Sequence, residues 1–171
     1  MQKNVPFVKL LLENKAGANI KDLRGETPLH KAVMLEDLPV VKLLLENETD
    51  ANIVDRWRGT PLHKAVRRRR SEALVKLLLE NKADVNIVDM RGETPLHQAV
   101  RRRRSEPLVK LLIENKADAN IQDQLGNTPL HQCARYGFSD TSQMLIESGC
   151  NINLRNKKGE TPFHIQTSRR Q

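Results

Sequence analysis

The sequence predicts an all-α repeat solenoid, and three observations carry that expectation. A tetrapeptide occurs five times: Thr27-Pro28-Leu29-His30, Thr60-Pro61-Leu62-His63, Thr94-Pro95-Leu96-His97, Thr128-Pro129-Leu130-His131 and the variant Thr161-Pro162-Phe163-His164. The threonines lie 33, 34, 34 and 33 residues apart, a period that marks units burying their apolar faces on their neighbours. Each copy is also a helix-start signal. The Thr hydroxyl can cap a free backbone N–H, and Pro at the first helical position loses nothing by lacking its own.

Within the motif the Leu points inward, and the His lies one turn after the Thr, within hydrogen-bond reach of the turn before the helix. All five histidines fall in this motif. Each belongs to a separate repeat with no Cys or acidic cluster converging on it, so the pattern assigns no metal site.

Further features recur in register. Asp22-Leu23-Arg24-Gly25 and Asp89-Met90-Arg91-Gly92 share an Asp-x-x-Gly turn, a Leu-Leu run marks a second helix, and Asp84-Val85-Asn86 closes a unit. With the Thr-Pro-Leu-His start, these residues resemble the ankyrin-repeat family over nearly the whole chain. The resemblance implies an ankyrin-repeat solenoid of helix–turn–helix units joined by β-turn fingers. It divides a single domain over 1–171 into a partial unit at 1–21, repeats at 22–54, 55–88, 89–122 and 123–155, and a partial unit at 156–171.

Taken in order, the chain opens on Val5 to Leu12, which matches later second helices such as Leu38 to Leu45 but follows no first helix. The favoured reading is a cut inside a larger array, with Phe7 and Leu11 partly uncovered; the other is a terminal cap. The first full repeat places a helix from Thr27 to about Met34-Leu35-Glu36, and Asp37 caps the next, with Pro39 in its first turn. In the second repeat, Asp55-Arg56-Trp57-Arg58-Gly59-Thr60 brings Gly one residue late. Arg58 therefore takes the place of Gly25 and Gly92, and the turn is either remodelled or holds Arg at positive φ. Trp57, the only tryptophan, falls at the tip of that turn.

Two arginine runs follow, Arg67 to Arg70 and Arg101 to Arg104, each placed in the last turn of a first helix and the loop beyond it. Arginine suits a helix C-terminus, by about 0.3–1 kcal/mol, but that does not account for four in succession. Ser71 and Ser105 read as caps of the next helices. At the ends of the second helices only Gly149 occupies the usual left-handed position; Lys15, Glu48, Lys82 and Lys116 stand there elsewhere, so Asn14, Asn47, Asn81 and Asn115 are assigned the stop. The fourth repeat replaces the arginine run by Arg135-Tyr136-Gly137-Phe138, and the last helix turns polar towards Ser168-Arg169-Arg170.

Lys and Arg total 29 against 21 Asp and Glu, a net charge of +8, and removing the eight run arginines leaves the two signs equal. Basicity is thus local. Cys133 and Cys150 replace small residues of other repeats and read as small buried hydrophobes. No apolar run approaches the roughly 20 residues that span a bilayer, and Met1-Gln2-Lys3-Asn4 carries no signal-peptide core. A protein without membrane contact, intracellular and cytoplasmic or nuclear, is expected.

The resemblance also implies where contacts form: on the turn tips and the exposed ends of the first helices. The principal positions are Arg24, Met34, Leu35, Arg56, Trp57, Arg67, Arg68, Met90, Arg91, Arg101, Arg102, Leu125, Arg135 and Tyr136, with Leu23, Glu26, Glu93, Gln124 and Asn127 beside them. A basic surface with aromatic anchors fits an acidic, partly extended protein segment, so the expected role is a non-catalytic interaction module, monomeric by itself. The alternative is nucleic acid or another polyanion held by the paired arginine runs, although aromatics are only 3% of residues and offer no base-stacking series. No Gly-rich phosphate loop, metal-spaced Cys/His set or activated cysteine appears, so no catalytic residue and no cofactor is assigned.

Overall fold

The computed structural model describes residues 4–68, 72–102 and 106–168. Arg69, Arg70, Arg103 and Arg104, the expected caps Ser71 and Ser105, and Arg169-Arg170 lie outside the described residues. The backbone groups into two compact units, 1–84 and 85–171. Unit 1 contains α1 (Val5–Glu13), α2 (Pro28–Met34), α3 (Leu38–Leu45), α4 (Pro61–Val66) and α5 (Glu72–Glu80). Unit 2 contains α6 (Pro95–Val100), α7 (Glu106–Glu114), α8 (Pro129–Tyr136), α9 (Ser139–Glu147) and α10 (Pro162–Ser168). No strand occurs among the described residues.

The first helices are six to eight residues long, too short to persist alone in water. Their ends and their packing hold them. At Thr60, Thr94 and Thr128 an extended backbone turns into the helix, and the hydroxyl accepts the N–H of the histidine three residues on. That histidine returns the bond: Thr94 N–H donates to His97 Nδ1 at 3.2 Å. This is a capping box in which imidazole does the work usually given to Glu. Asp37 caps α3 as the sequence indicates, accepting the Val40 N–H at 3.2 Å.

In unit 1, α2 packs on α3 and α4, and α5 on α3 and α4; in unit 2, α8 packs on α6, α9 and α10, and α7 on α6 and α9. The cores centre on leucines recurring at one position of the first helices and one of the second: Leu29, Leu62 and Leu78 in unit 1, and Leu96, Leu112 and Leu145 in unit 2, each with essentially no exposure. Each such side chain contributes about 1.5–3 kcal/mol on leaving water.

Three local expectations change. The first helices of the two arginine-bearing repeats stop at Val66 and Val100, so Arg67 and Arg101 are C-caps and the runs begin past the helix. The stop after each second helix is not asparagine. Lys15, Glu48, Lys82 and Lys116 carry the positive φ, between 55° and 66°, while the preceding asparagine turns its side chain back onto the helix. Asn14 Nδ2 donates to the Leu10 carbonyl at 2.8 Å, and Asn47, Asn81 and Asn115 repeat the bond at 2.7–2.8 Å. At Asn14, Asn81 and Asn115 the same carbonyl also accepts the asparagine's own backbone N–H at 3.2 Å, so both donors hold the residue to the helix end and the left-handed turn falls to the next residue. Thirdly, Cys133 is buried but Cys150 is only half-buried; burial pushes the Cys133 thiol up to about 12, which keeps it protonated and inert.

The turn at Arg58 resolves the other way. It is not remodelled: Arg58 has φ 59° and its N–H donates to the Asp55 carbonyl at 2.9 Å, as Gly25 does to Asp22 at 2.8 Å. The second repeat accepts a strained non-glycine residue to keep the turn.

Candidate functional site

The face formed by turn tips and first-helix ends is built on an aspartate. Asp22 Oδ1 accepts the N–H groups of Arg24 and Glu26 at 2.8 and 2.9 Å, and Asp55, Asp89 and Asp123 repeat this two- and four-residue pattern. Each finger is then tied to a neighbour in its own unit. Arg56 N–H donates to the Arg24 carbonyl at 3.0 Å in unit 1; Gln124 N–H donates to Arg91 at 2.8 Å and Lys157 N–H to Leu125 at 2.9 Å in unit 2.

The histidines complete the tie. Because Thr27 N–H donates to His30 Nδ1, that nitrogen holds no proton, and the neutral ring carries its proton on Nε2. Nε2 then donates to the Gly59 carbonyl, 3.1 Å away in the next finger. His97 makes the same bridge to Asn127 and His131 to Glu160, both at 3.1 Å. With both ring nitrogens engaged in this way, these three histidines are structural bridges. Among the described residues no His, Cys, Asp and Glu cluster has a metal-holding geometry.

Burial pushes His30, His97 and His131 below the ordinary imidazole value, although their carbonyl partners pull upward. A base with a depressed folded pKa is stabilised most when neutral, so stability should be full above about pH 6.5 and fall as pH drops below it. Three carboxylates act lower. The Lys31 ammonium brings Asp22 down to about 2 and also lowers Glu26; at Asp55 burial pulls up, but Lys64 and two backbone N–H groups outweigh it. Their contribution is full above about pH 4 and is lost as pH falls from there, for Asp22 towards about 2. Urea midpoints followed by circular dichroism should therefore drop in two separate stages between about pH 7.5 and 2. A flat midpoint down to about pH 5 would exclude the histidine contribution.

On unit 1, Leu23, Arg24, Leu35, Arg56, Trp57 and Arg67 are exposed, and Met34 and Arg68 are half-buried. Trp57 lies between two cations, with the Arg56 guanidinium and the Lys64 ammonium each 5.3 Å from its ring, so cation–π attraction fixes a half-exposed indole. On unit 2, Met90, Arg91, Gln124, Leu125, Arg135 and Tyr136 are exposed, and Arg101 and Arg102 half-buried. Tyr136 stacks on Phe138 with centroids 5.7 Å apart. Arg91, Arg101, Arg135, Leu125, Gln132 and Tyr136 line a cleft of about 340 Å³.

Three residues expected at the contact surface are instead buried: Glu26, Glu93 and Asn127. Each turns inward to a partner. Glu26 meets Lys31 at 2.5 Å and Lys64 at 3.3 Å; Glu93 takes a bidentate bond from Arg101 at 2.6 and 2.9 Å; Asn127 accepts from Asn156 at 3.1 Å. Arg101 is thus largely neutralised in place.

Two groups of residues escaped the sequence reading. Lys64, which also meets Asp55 at 2.6 Å, supports Trp57. Gln98 and Gln132 occupy the equivalent position in unit 2 and keep buried Oε1 atoms with no hydrogen-bond partner among the described residues. The signal was present: the residue after each motif histidine is Lys31 and Lys64 in the first two repeats and Gln98 and Gln132 in the next two.

A family model for ankyrin repeats matches the chain three times, over residues 1–89, 34–123 and 96–170. The chain belongs to the ankyrin-repeat family. No curated protein matches it at a significant level. Ankyrin repeats are generally protein–protein interaction modules, and the fold class expected from the motif is the one observed: paired helices joined by hydrogen-bonded turns. No helix among the described residues of this ankyrin chain is long and apolar enough to cross a membrane.

Proposed function

We propose that this ankyrin-repeat chain is a non-catalytic interaction module that takes an acidic, partly extended segment of a protein partner on its basic turn-and-helix face. The observation that carries the reading is the cleft of unit 2. Arg91 and Arg135 flank it, and Leu125 and Tyr136 supply apolar surface. A peptide carboxylate suits the guanidinium groups, and an adjacent apolar side chain suits Leu125 and Tyr136. Unit 1 offers the same chemistry in a second place: Arg56 and Lys64 clamp Trp57, and Arg24 and Arg67 are exposed on the same unit. Charge governs encounter, and the aromatic anchors hold what arrives.

A polyanion reading has less support, because Arg101 is spent on Glu93 and Lys31 and Lys64 on Asp22, Glu26 and Asp55. The test is a titration against a peptide library in which Asp and Glu flank one Leu, Tyr or Trp. Binding should appear for acidic members, weaken with salt, and fall at least about tenfold, or 1.4 kcal/mol, in the double variant Arg91→Glu/Arg135→Glu. Tighter binding of a generic oligonucleotide at physiological salt, with a steep log–log salt slope, would overturn the reading in favour of nucleic acid.

A further inference from the structure

The cleft of unit 2 that Arg91 and Arg135 flank is followed by a second, of about 410 Å³, lined among others by Arg135, Lys157, Lys158 and Ile165. The two are one feature repeated. Counted from the motif threonines, Arg101 in the first corresponds to Arg135 in the second, and Gln124 and Leu125 to Lys157 and Lys158. Leu125, Asn127 and Arg135 line both clefts, so they meet along a shared edge. Each lies between successive repeats of unit 2, and Phe163 of α10 lines neither.

Their charge differs. Each cleft has three cations, but Glu93 and Asp123 in the first are replaced at equivalent positions by Asn127 and Asn156 in the second. Asn156 still builds the turn, its Oδ1 accepting the Lys158 and Glu160 N–H groups at 3.0 Å each. Its Nδ2 donates to Asn127 at 3.1 Å and to Glu160 at 3.0 Å. Glu160 is the carboxylate left among the described residues lining the second cleft. Arg91, Arg135, Lys157 and Lys158 are exposed, and none of them enters an ion pair among the described residues.

We infer that the partner segment crosses both clefts in polyproline II conformation and presents two acidic side chains three residues apart, one between Arg91 and Arg135 and the other between Arg135 and the Lys157–Lys158 pair. This rests on the peptide-binding role proposed for the same face. The spacing follows from the packing. Helix α8 packs on both α6 and α10, and packed helix axes lie about 8–10 Å apart, so equivalent points of the two clefts are separated by about that step. A polyproline II segment rises about 3.1 Å per residue and returns to the same face every third residue, about 9 Å on. A β-strand returns to one face every second residue, about 6.6 or 13 Å on, and misses the step. Two carboxylates at the polyproline II spacing therefore meet both sets of cations at once.

The test is fluorescence anisotropy of labelled synthetic peptides titrated with the full chain. Each peptide carries a Leu and two Glu set two, three or four residues apart, so that net charge is constant. The three-residue spacing should bind at least about threefold tighter than the others, and prolines at both intervening positions should preserve that advantage. In Lys157→Gln/Lys158→Gln, which changes two exposed side chains, circular dichroism should be unchanged and the three spacings should bind alike. Equal affinities in the parent chain, an optimum at two or four, loss of the advantage on introducing the prolines, or an advantage that survives the lysine variant overturns the inference and leaves the peptide-binding role standing. If no Glu peptide binds more tightly than its Gln counterpart, that role falls and the inference with it.

Discussion

His97→Ala should destabilise unit 2 by about 3–5 kcal/mol, the largest loss expected from any one motif residue. Three bonds go at once. The buried Thr94 N–H loses its acceptor, the Thr94 hydroxyl loses its partner, and the Asn127 carbonyl loses the Nε2 donor from the preceding repeat. An unsatisfied buried amide costs about 1–3 kcal/mol, and the void left by the ring adds to it. His164→Ala removes the same residue type from the same motif, but His164 is exposed, so its change should stay near about 0.5 kcal/mol in dilute protein. Urea unfolding of both variants reads the difference. Equal losses would mean that the histidine acts only within its own helix start and that the bridge to the next finger contributes nothing.

The second large effect is at Gly126. Its φ is +77°, and a Cβ there would lie 2.7 Å from the Lys157 nitrogen and 3.0 Å from the Asn156 Cα. Both are backbone atoms, which cannot rotate aside, and the displaced Lys157 N–H is the one bonded to Leu125. Gly126→Ala combines left-handed strain of about 1–2 kcal/mol with a disrupted finger contact, and should cost about 2–4 kcal/mol. Gly159 has the same φ with nothing within 4 Å of its added Cβ, so Gly159→Ala should show the strain alone. A matched pair of losses would assign the whole effect at Gly126 to its dihedral.

The sequence carried the architecture because its signals are local and repeated. Thr, Pro, Leu and His act within one turn of each other, so their spacing defines helix starts without reference to the rest of the molecule. Side-chain direction was less legible where it depends on a distant charge. Glu26 and Glu93 precede the motif on exposed turns, and the residues that draw them inward lie further on: Lys31 and Lys64 on the first helices, Arg101 at the C-cap of α6. The second-helix stops misled for a related reason. Asn14 and its equivalents are the usual left-handed residues, but with the amide turned back onto a helix carbonyl each keeps a negative φ, and the strain passes to a Lys or Glu with no preference for it. At Arg58 the sequence posed the right alternatives, and only the backbone decided between them.

The histidine bridges also shape how the chain finds its fold. They join residues 29 or 30 positions apart, and the finger ties span similar distances. Closing each loop therefore costs little entropy, and no step waits for remote segments to meet. Within each unit a pair of repeats can lock once both are present, without waiting for the rest of the chain. Order inside a unit should therefore arrive in increments, read as stepwise hydrogen-exchange protection during refolding.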